Sequence, residues 1–263
     1  MSQLHFEKVG QGAPLILLHG MGGAIRHWRP MIERLAPHYE IFAVDVLGHG
    51  ASPKPEVRYD LDSITESLAD WWLSERGGPV RVAGLSAGGG LALRWAELEP
   101  YTVRSIVALA PGGLGLAAET GVKMPDLPAV GPLLFGGDED SVRQFWSHAT
   151  YRSGVLTEEF LQAEMASAVN PKDRGVLFSM LRNFPATALN MVRNLHRISC
   201  PTLVLWGAQD QILAPSQARV VTDAVAGSRS VLVEQCGHIM PWEQPQRLQD
   251  EMLAFLGSQA GWV

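Results

Sequence analysis

The sequence predicts a doubly wound α/β domain, built on a mostly parallel sheet and interrupted by a helical insertion. Three observations carry this. Short β-like runs alternate with longer helical patterns, several runs are apolar over four or five consecutive residues, and residues 112–196 hold no convincing strand. A run that is apolar without alternation fits a strand buried on both faces of a parallel sheet. Strand–helix alternation is what crossover connections between parallel strands require.

In chain order the predicted strands are HFEKV (5–9), PLILLH (14–19), YEIFAVD (39–45), VRVAGL (80–85), VRSIVALA (103–110), PTLVLW (201–206) and SVLVE (230–234). Between them, LDSITESLADWWLSER (61–76) sets Leu61, Ile64, Leu68, Trp71 and Trp72 on one side of a helix. GGGLALRWAELEP reads as a helix ending near Pro100. PSQARVVTDAVAG (215–227) ends in a helix-stopping glycine, and PQRLQDEMLAFLGS (245–258) starts with Pro and ends with Gly, as helices prefer. The insertion opens with PGGLG and contains MPDLPAVGP and FGGDED. Four helical patterns follow: SVRQFWSHA, TEEFLQAEMAS, PKDRGVLFSMLRN and PATALNMVRNL. The expected division is residues 1–111 and 197–263 as the core, with 112–196 inserted. Phe135, Phe145, Trp146, Phe160, Phe178, Met180, Phe184 and Met191 are expected mostly to pack a small core of the insertion's own, a few of them facing the main domain.

With 263 residues, 46% hydrophobic and 18% charged, the chain suits one large domain with a substantial core. The net charge of -6 and pI near 5.7, with no basic run longer than two, argue against nucleic acid or an anionic membrane as partner. No basic start followed by an apolar stretch is visible, and no apolar run approaches a membrane span, so the expected location is the cytoplasm. Cys200 and Cys236 fall at opposite ends of the predicted sheet and are expected to be reduced thiols. No Cys or His pair has zinc-site spacing.

Gly84-Leu85-Ser86-Ala87-Gly88 fits G-x-S-x-G, a strand turning sharply into a helix with the serine at the turn. A glycine-rich turn capped by serine would read the same way in isolation. Here the pentapeptide stands between a predicted strand and a predicted helix, where unpaired helix N–H groups favour negative charge. Serine is a poor nucleophile without a base, and the base needs an orienting acid. Of eight histidines, His238 follows the last strand, on the edge where Ser86 emerges. His19 and His49 sit in turns, and His5, His27, His38, His148 and His196 lie on patterns that suit packing or surface roles. Asp210 follows the neighbouring strand and is the candidate acid. Asp45 reads as a loop brace, and Asp138, Glu139 and Asp140 as solvated. Backbone N–H groups of Ala87 and Met21 are the candidate oxyanion donors. HGMGG lacks the Lys and the spacing of a phosphate loop. Gly89 and Gly90 are expected to let the helix pack beneath the 17–23 loop.

The segments LLHGMGG, DVLGHGAS, GLSAGG and the pair WGAQD and GHIMPWEQP together resemble the α/β-hydrolase superfamily. The resemblance implies an α/β-hydrolase fold, with Ser86 as nucleophile, Asp210 as acid and His238 as base. It implies Met21 and Ala87 as the oxyanion hole, and residues 112–196 as a lid. The family often has His before the nucleophile and Met after it; Leu85 and Ala87 stand there in this chain. Ser86 excludes the chemistry of members with Asp at the elbow, the haloalkane dehalogenases and epoxide hydrolases. The expected activity is hydrolysis of a small-molecule carboxylic ester with a small to medium apolar portion, with no metal or organic cofactor. Lactones, thioesters, amides and peracid formation draw on the same machinery. A second expectation is a carbon–carbon bond hydrolase of a ring-cleavage pathway. Members of that group usually carry Arg after the WG of the acid loop, where this chain has Ala208 and Gln209. A third is a non-catalytic, ligand-binding member.

Overall fold

Consecutive strand residues point to opposite faces of a sheet, so a run with every residue buried needs cover on both faces. Leu15–Leu18 and Leu203–Trp206 are such runs, at 0% exposure throughout. The computed structural model, which describes residues 3–114 and 138–258, supplies that cover with helices around a seven-stranded sheet.

The strands are β1 (Phe6–Val9), β2 (Pro14–Leu18), β3 (Glu40–Val44), β4 (Val80–Leu85), β5 (Val103–Leu109), β6 (Thr202–Gly207) and β7 (Arg229–Val233). Their order is β1-β3-β2-β4-β5-β6-β7; β1 runs antiparallel to β3 and every other pair is parallel. Each predicted run is a strand, within a residue or two at its ends. The register pairs Leu18 with Gly84, Leu85 with Leu109, Leu109 with Leu205 and Gly207 with Val233. The loops after β2, β4, β5, β6 and β7 therefore open on one edge of the sheet, with β4 at its centre.

A short 3-10 turn (Ile25–Trp28) leads into α1 (Arg29–Leu35), neither of which is marked in the sequence by a long apolar stripe. The next helix, α2 (Leu61–Glu75), starts from a capping box: Ser63 N donates to Asp60 Oδ1 at 2.8 Å, and Asp60 N to Ser63 Oγ at 3.1 Å. Its Trp71 and Trp72 rings meet Phe42 of β3 at 6.3 and 5.3 Å. Helix α3 (Ala87–Leu98) packs on β4 and β5. Between β5 and β6 the described residues form α4 (Glu139–Ala149), α5 (Glu158–Val169) and α6 (Pro171–Asn194). After β6 come α7 (Ala218–Ala224), α8 (Met240–Glu243) and α9 (Pro245–Ser258). Phe135 and the MPDLPAVGP stretch lie outside the described residues. Among the described residues no helix is long and apolar enough to cross a membrane.

Two expectations about residues 112–196 are corrected. PKDRGVLFSMLRN and PATALNMVRNL are not separate helices, because α6 runs through Pro185. Proline inside a helix costs about 3 kcal/mol. Here Val176, Met180, Phe184, Ala188 and Met191 make one continuous buried stripe across it, and burying such side chains contributes about 1.5–3 kcal/mol each. Nor is the insertion's core separate. Phe145, Trp146 and Phe160 do pack on one another, with ring centres 5.1 and 4.9 Å apart, but together with Met180, Phe184 and Met191 they are continuous with the cluster of sheet residues, and Phe178 is exposed. Cys200 and Cys236 are free and buried; burial pushes the Cys200 thiol up to about 12.

Candidate active site

β4 enters α3 through Ser86, whose φ of 55° and ψ of -120° lie outside the regions that non-glycine residues favour. Backbone bonds hold this strained residue. Ser86 N donates to Leu109 O at 2.8 Å, continuing the β4–β5 ladder, and Gly112 N donates to Ser86 O at 2.7 Å. A Cβ on Gly84 would fall 2.1 Å from Gly88 O, and one on Gly88 would fall 2.4 Å from Leu18 O. Both neighbours are backbone, which cannot swing away. Gly88→Ala is therefore expected to lower stability by about 3 kcal/mol or more, read as a fall in thermal midpoint; an unchanged midpoint would show that the elbow yields. Gly88, not Gly89 or Gly90, makes room beneath the 17–23 loop. The other two face the segment after β5, with Pro111 and Gly112 O at 2.9 and 2.6 Å from the Cβ positions.

Asp210 and His238, each 7% exposed, come together after β6 and β7. Asp210 Oδ1 accepts from Ile212 N at 2.8 Å and Leu213 N at 2.9 Å, and its Oδ2 accepts from His238 Nδ1 at 2.8 Å. A carboxylate only accepts, so Nδ1 carries a hydrogen, and in the neutral ring the lone pair is on Nε2. The His238 loop is tied in turn. His238 N donates to Ala149 O at 2.7 Å, while buried Glu243 accepts from Gly237 N at 2.9 Å and Tyr151 N at 2.6 Å. Burial pushes the Glu243 carboxyl up, against the opposing pull of these donors.

Ser86 and His238 line one cavity of about 310 Å³, with Met21 and Ala87 on its wall. Among the described residues no hydrogen bond joins Ser86 Oγ to His238; both face the same space. Much of the lining is apolar, including Leu85, Phe145, Trp146, Leu177 and Phe184.

The loop after β2 lies against the elbow, where a Cβ on Gly20 would sit 3.2 Å from Ser86 Cβ. His19 Nδ1 donates to Gly20 O at 2.8 Å and Nε2 accepts from Val46 N at 3.1 Å. Burial holds its pKa well below the ordinary value. Asp45 braces this region by accepting from Ile25 N at 2.8 Å, Ala51 N at 2.9 Å and His5 Nδ1 at 2.8 Å.

His49 is 4% exposed, and its Nδ1 donates to Leu47 O at 3.1 Å. Burial lowers its pKa from 6.5 to about 4, outweighing the Leu47 carbonyl, which raises it. The folded chain thus keeps this ring neutral while the unfolded chain protonates it. The resulting stability is present above the unfolded pKa and is lost as pH falls from 6.5 to about 4. By linkage it is on the order of 3 kcal/mol. His49→Gln should flatten this part of a plot of thermal midpoint against pH; an unchanged slope would exclude His49 as its source.

His27 is buried and packs as the sequence patterns suggest, its ring stacked on Phe160 and edge-on to Trp146. It also lies on the cavity wall, where Nε2 donates to Glu164 Oε1 at 3.1 Å, a pairing those patterns do not show. Arg26 Nε donates to the same oxygen at 2.5 Å. Burial alone would raise the Glu164 pKa, but His27 and then Arg26 hold it below the ordinary carboxylate value. The two partners lie 137 and 138 positions away from Glu164, so no local pattern announces the pairing. The Gly23 backbone packs on the His27 ring, which would meet a Cβ there at 2.2 Å.

A seven-stranded, mostly parallel sheet, with a strained serine elbow after its central strand and a carboxylate-bound histidine after its last, defines an α/β-hydrolase. The model described as Alpha/beta hydrolase family matches residues 15–251, and the chain belongs to that family. Among curated relatives, it is 30% identical over 262 residues to the dihydrolipoyllysine-residue acetyltransferase component of an acetoin cleaving system from Pseudomonas putida. That match takes in 95% of this chain and 65% of that one, so the chain spans just under two thirds of the relative's length. It is 28% identical over 250 residues to a pimeloyl-[acyl-carrier protein] methyl ester esterase from Chromobacterium violaceum, covering 89% of this chain and 91% of the esterase. Among solved structures, a mutant of the meta-cleavage product hydrolase CumD superposes with a TM-score of 0.85 at 21% identity, over 97% of this chain and 94% of the other.

Proposed function

We propose that the chain hydrolyses carboxylic esters of small to medium apolar substrates through an acyl-enzyme on Ser86. The observation that carries this is the Asp210–His238 bond, which leaves Nε2 basic beside a strained serine on the same cavity. Ser86 Oγ attacks the acyl carbonyl while His238 Nε2 takes its proton, and Asp210 stabilises the resulting imidazolium. The Met21 and Ala87 N–H groups hold the oxyanion. His238 returns the proton to the leaving alcohol, then activates the water that releases the acid. Residues 112–196 act as a lid, and Phe145, Trp146, Leu177 and Phe184 form its apolar inner surface. The ester reading is supported by the similarity to the Chromobacterium esterase. Incubation with a fluorophosphonate and with short p-nitrophenyl esters tests it. Labelling at Ser86 with turnover is expected, and the absence of both overturns the reading.

The likeness to the meta-cleavage product hydrolase favours a second reading, carbon–carbon bond hydrolysis on the same three residues. Against it, Gln209, at one of the two positions after Trp206-Gly207, accepts from Cys236 N at 3.0 Å through Oε1 and so braces the loop. Faster turnover of a 2-hydroxy-6-oxohexa-2,4-dienoate than of any ester would favour this second reading.

A further inference from the structure

Met21, the candidate oxyanion donor, sits in the turn from Gly20 to Gly23, where every other residue is glycine. One backbone bond closes the turn, from Gly23 N to Gly20 O at 3.1 Å. Glycine adds backbone freedom and offers no side chain as an anchor, so the turn keeps one shape only through what it rests on. At one end Gly20 lies against Ser86. At the other, Gly23 lies on the His27 ring: a Cβ there would meet Cε1, Nδ1 and Nε2 at 2.2, 2.5 and 2.8 Å. The ring therefore limits where the turn can lie. Its own orientation comes from the helices between β5 and β6. Nε2 donates to Glu164 of α5, Phe160 of α5 stacks on the ring at 5.7 Å between centres, and Trp146 of α4 meets it edge-on at 5.5 Å. Nδ1 is buried with no partner, so among the described residues the Glu164 bond is the ring's one polar anchor. Arg26 Nε, donating to the same oxygen, holds the carboxylate in place. Apolar residues of similar volume would hold α5 on the core as firmly as a buried ion cluster does. They would not supply a bond that fixes the direction of the His27 ring.

We infer that Glu164 is a positioning residue for the oxyanion: through His27 it holds the Gly20–Gly23 turn, and with it the Met21 N–H, at the Ser86 elbow. Glu164 acts on the reaction only through the ring and the turn. The insertion thus completes the catalytic machinery as well as the apolar wall. A displaced Met21 N–H weakens the state in which the oxyanion has formed and leaves the bound ester almost untouched, because only the former carries the charge that the donor meets. The inference rests on the reading of Ser86 as nucleophile and Met21 as oxyanion donor.

The test compares inhibition by a trifluoromethyl ketone and by the methyl ketone of the same carbon skeleton, on the unaltered chain, Glu164→Leu and Glu164→Gln. With the first ketone, Ser86 Oγ bonds to the carbonyl carbon, its proton passes to His238 Nε2, and the carbonyl π pair becomes an oxyanion in the hole. The second fills the same cavity as an uncharged ketone. Glu164→Leu should lower the ratio of the two affinities about tenfold or more, with kcat toward p-nitrophenyl esters falling by a similar factor and KM holding within about threefold. Glu164→Gln, whose oxygen still accepts from Nε2 but without a charge, should restore part of both. An unchanged ratio in both variants overturns the proposal: with a lowered thermal midpoint it marks Glu164 as structural, and with both ketones weakened alike it marks Glu164 as shaping the cavity. Where Glu164→Leu does not fold, the ratio in Glu164→Gln decides by itself, measured well below its thermal midpoint. An unaltered chain that does not prefer the trifluoromethyl ketone fails the nucleophile reading and takes the proposal with it, a result visible before any substitution is made.

Discussion

Ser86→Ala is expected to lower kcat toward p-nitrophenyl esters by about a millionfold, the scale seen when a triad nucleophile is removed. The loss should be chemical and not structural. The elbow is held by backbone bonds at Ser86 N and Ser86 O, which alanine keeps, and among the described residues its hydroxyl makes no hydrogen bond that alanine would lose. Stability should therefore change by no more than about 0.5 kcal/mol. A thermal midpoint matching that of the unaltered chain, alongside abolished turnover and abolished fluorophosphonate labelling, is the expected result. Turnover retained above about a thousandth of the original would mean that another group attacks the substrate, since the oxyanion hole and binding alone leave only a small residue of catalysis.

Asp210→Asn is expected to lower kcat by about ten-thousandfold, and the geometry says why. Ile212 N and Leu213 N both donate to one carboxylate oxygen, so an asparagine must keep its own oxygen there. Its amide nitrogen then faces His238, where the carboxylate now accepts from Nδ1 at 2.8 Å. Two N–H groups cannot bond each other. The ring must move its hydrogen to Nε2, which removes the lone pair that Ser86 needs. Since hydroxide can take over the proton transfer, part of the lost kcat should return as pH rises. A variant that keeps its thermal midpoint but shows neither the loss nor the recovery would show that Asp210 does not set the tautomer.

The strands were legible because a buried strand writes its environment into a short run. PLILL and TLVLWG can be satisfied only inside a covered sheet. The serine elbow was legible for a related reason. Gly84 and Gly88 are dictated by contacts between residues a few positions apart, or across adjacent strands. His238 and Asp210 followed once parallel strands placed the ends of β6 and β7 on the edge where β4 ends. What local pattern did not show was the insertion's allegiance. Its apolar residues looked sufficient for a small core, yet they complete the main one, and Pro185 looked like a break that the continuous buried stripe of α6 overrides.

The sequence by itself thus determined the sheet, the elbow and the three residues proposed for the chemistry, because each depends on strand periodicity, turn sterics and the common edge of a parallel sheet. Only the tertiary structure decided what surrounds them. It paired Glu164 with Arg26 and His27 on the cavity wall, and assigned Gly88 to the loop after β2 and Gly89 and Gly90 to the segment after β5. These are contacts between residues distant in the chain. Their energy depends on which surfaces meet, and that is settled only when the helices between β5 and β6 close over the sheet.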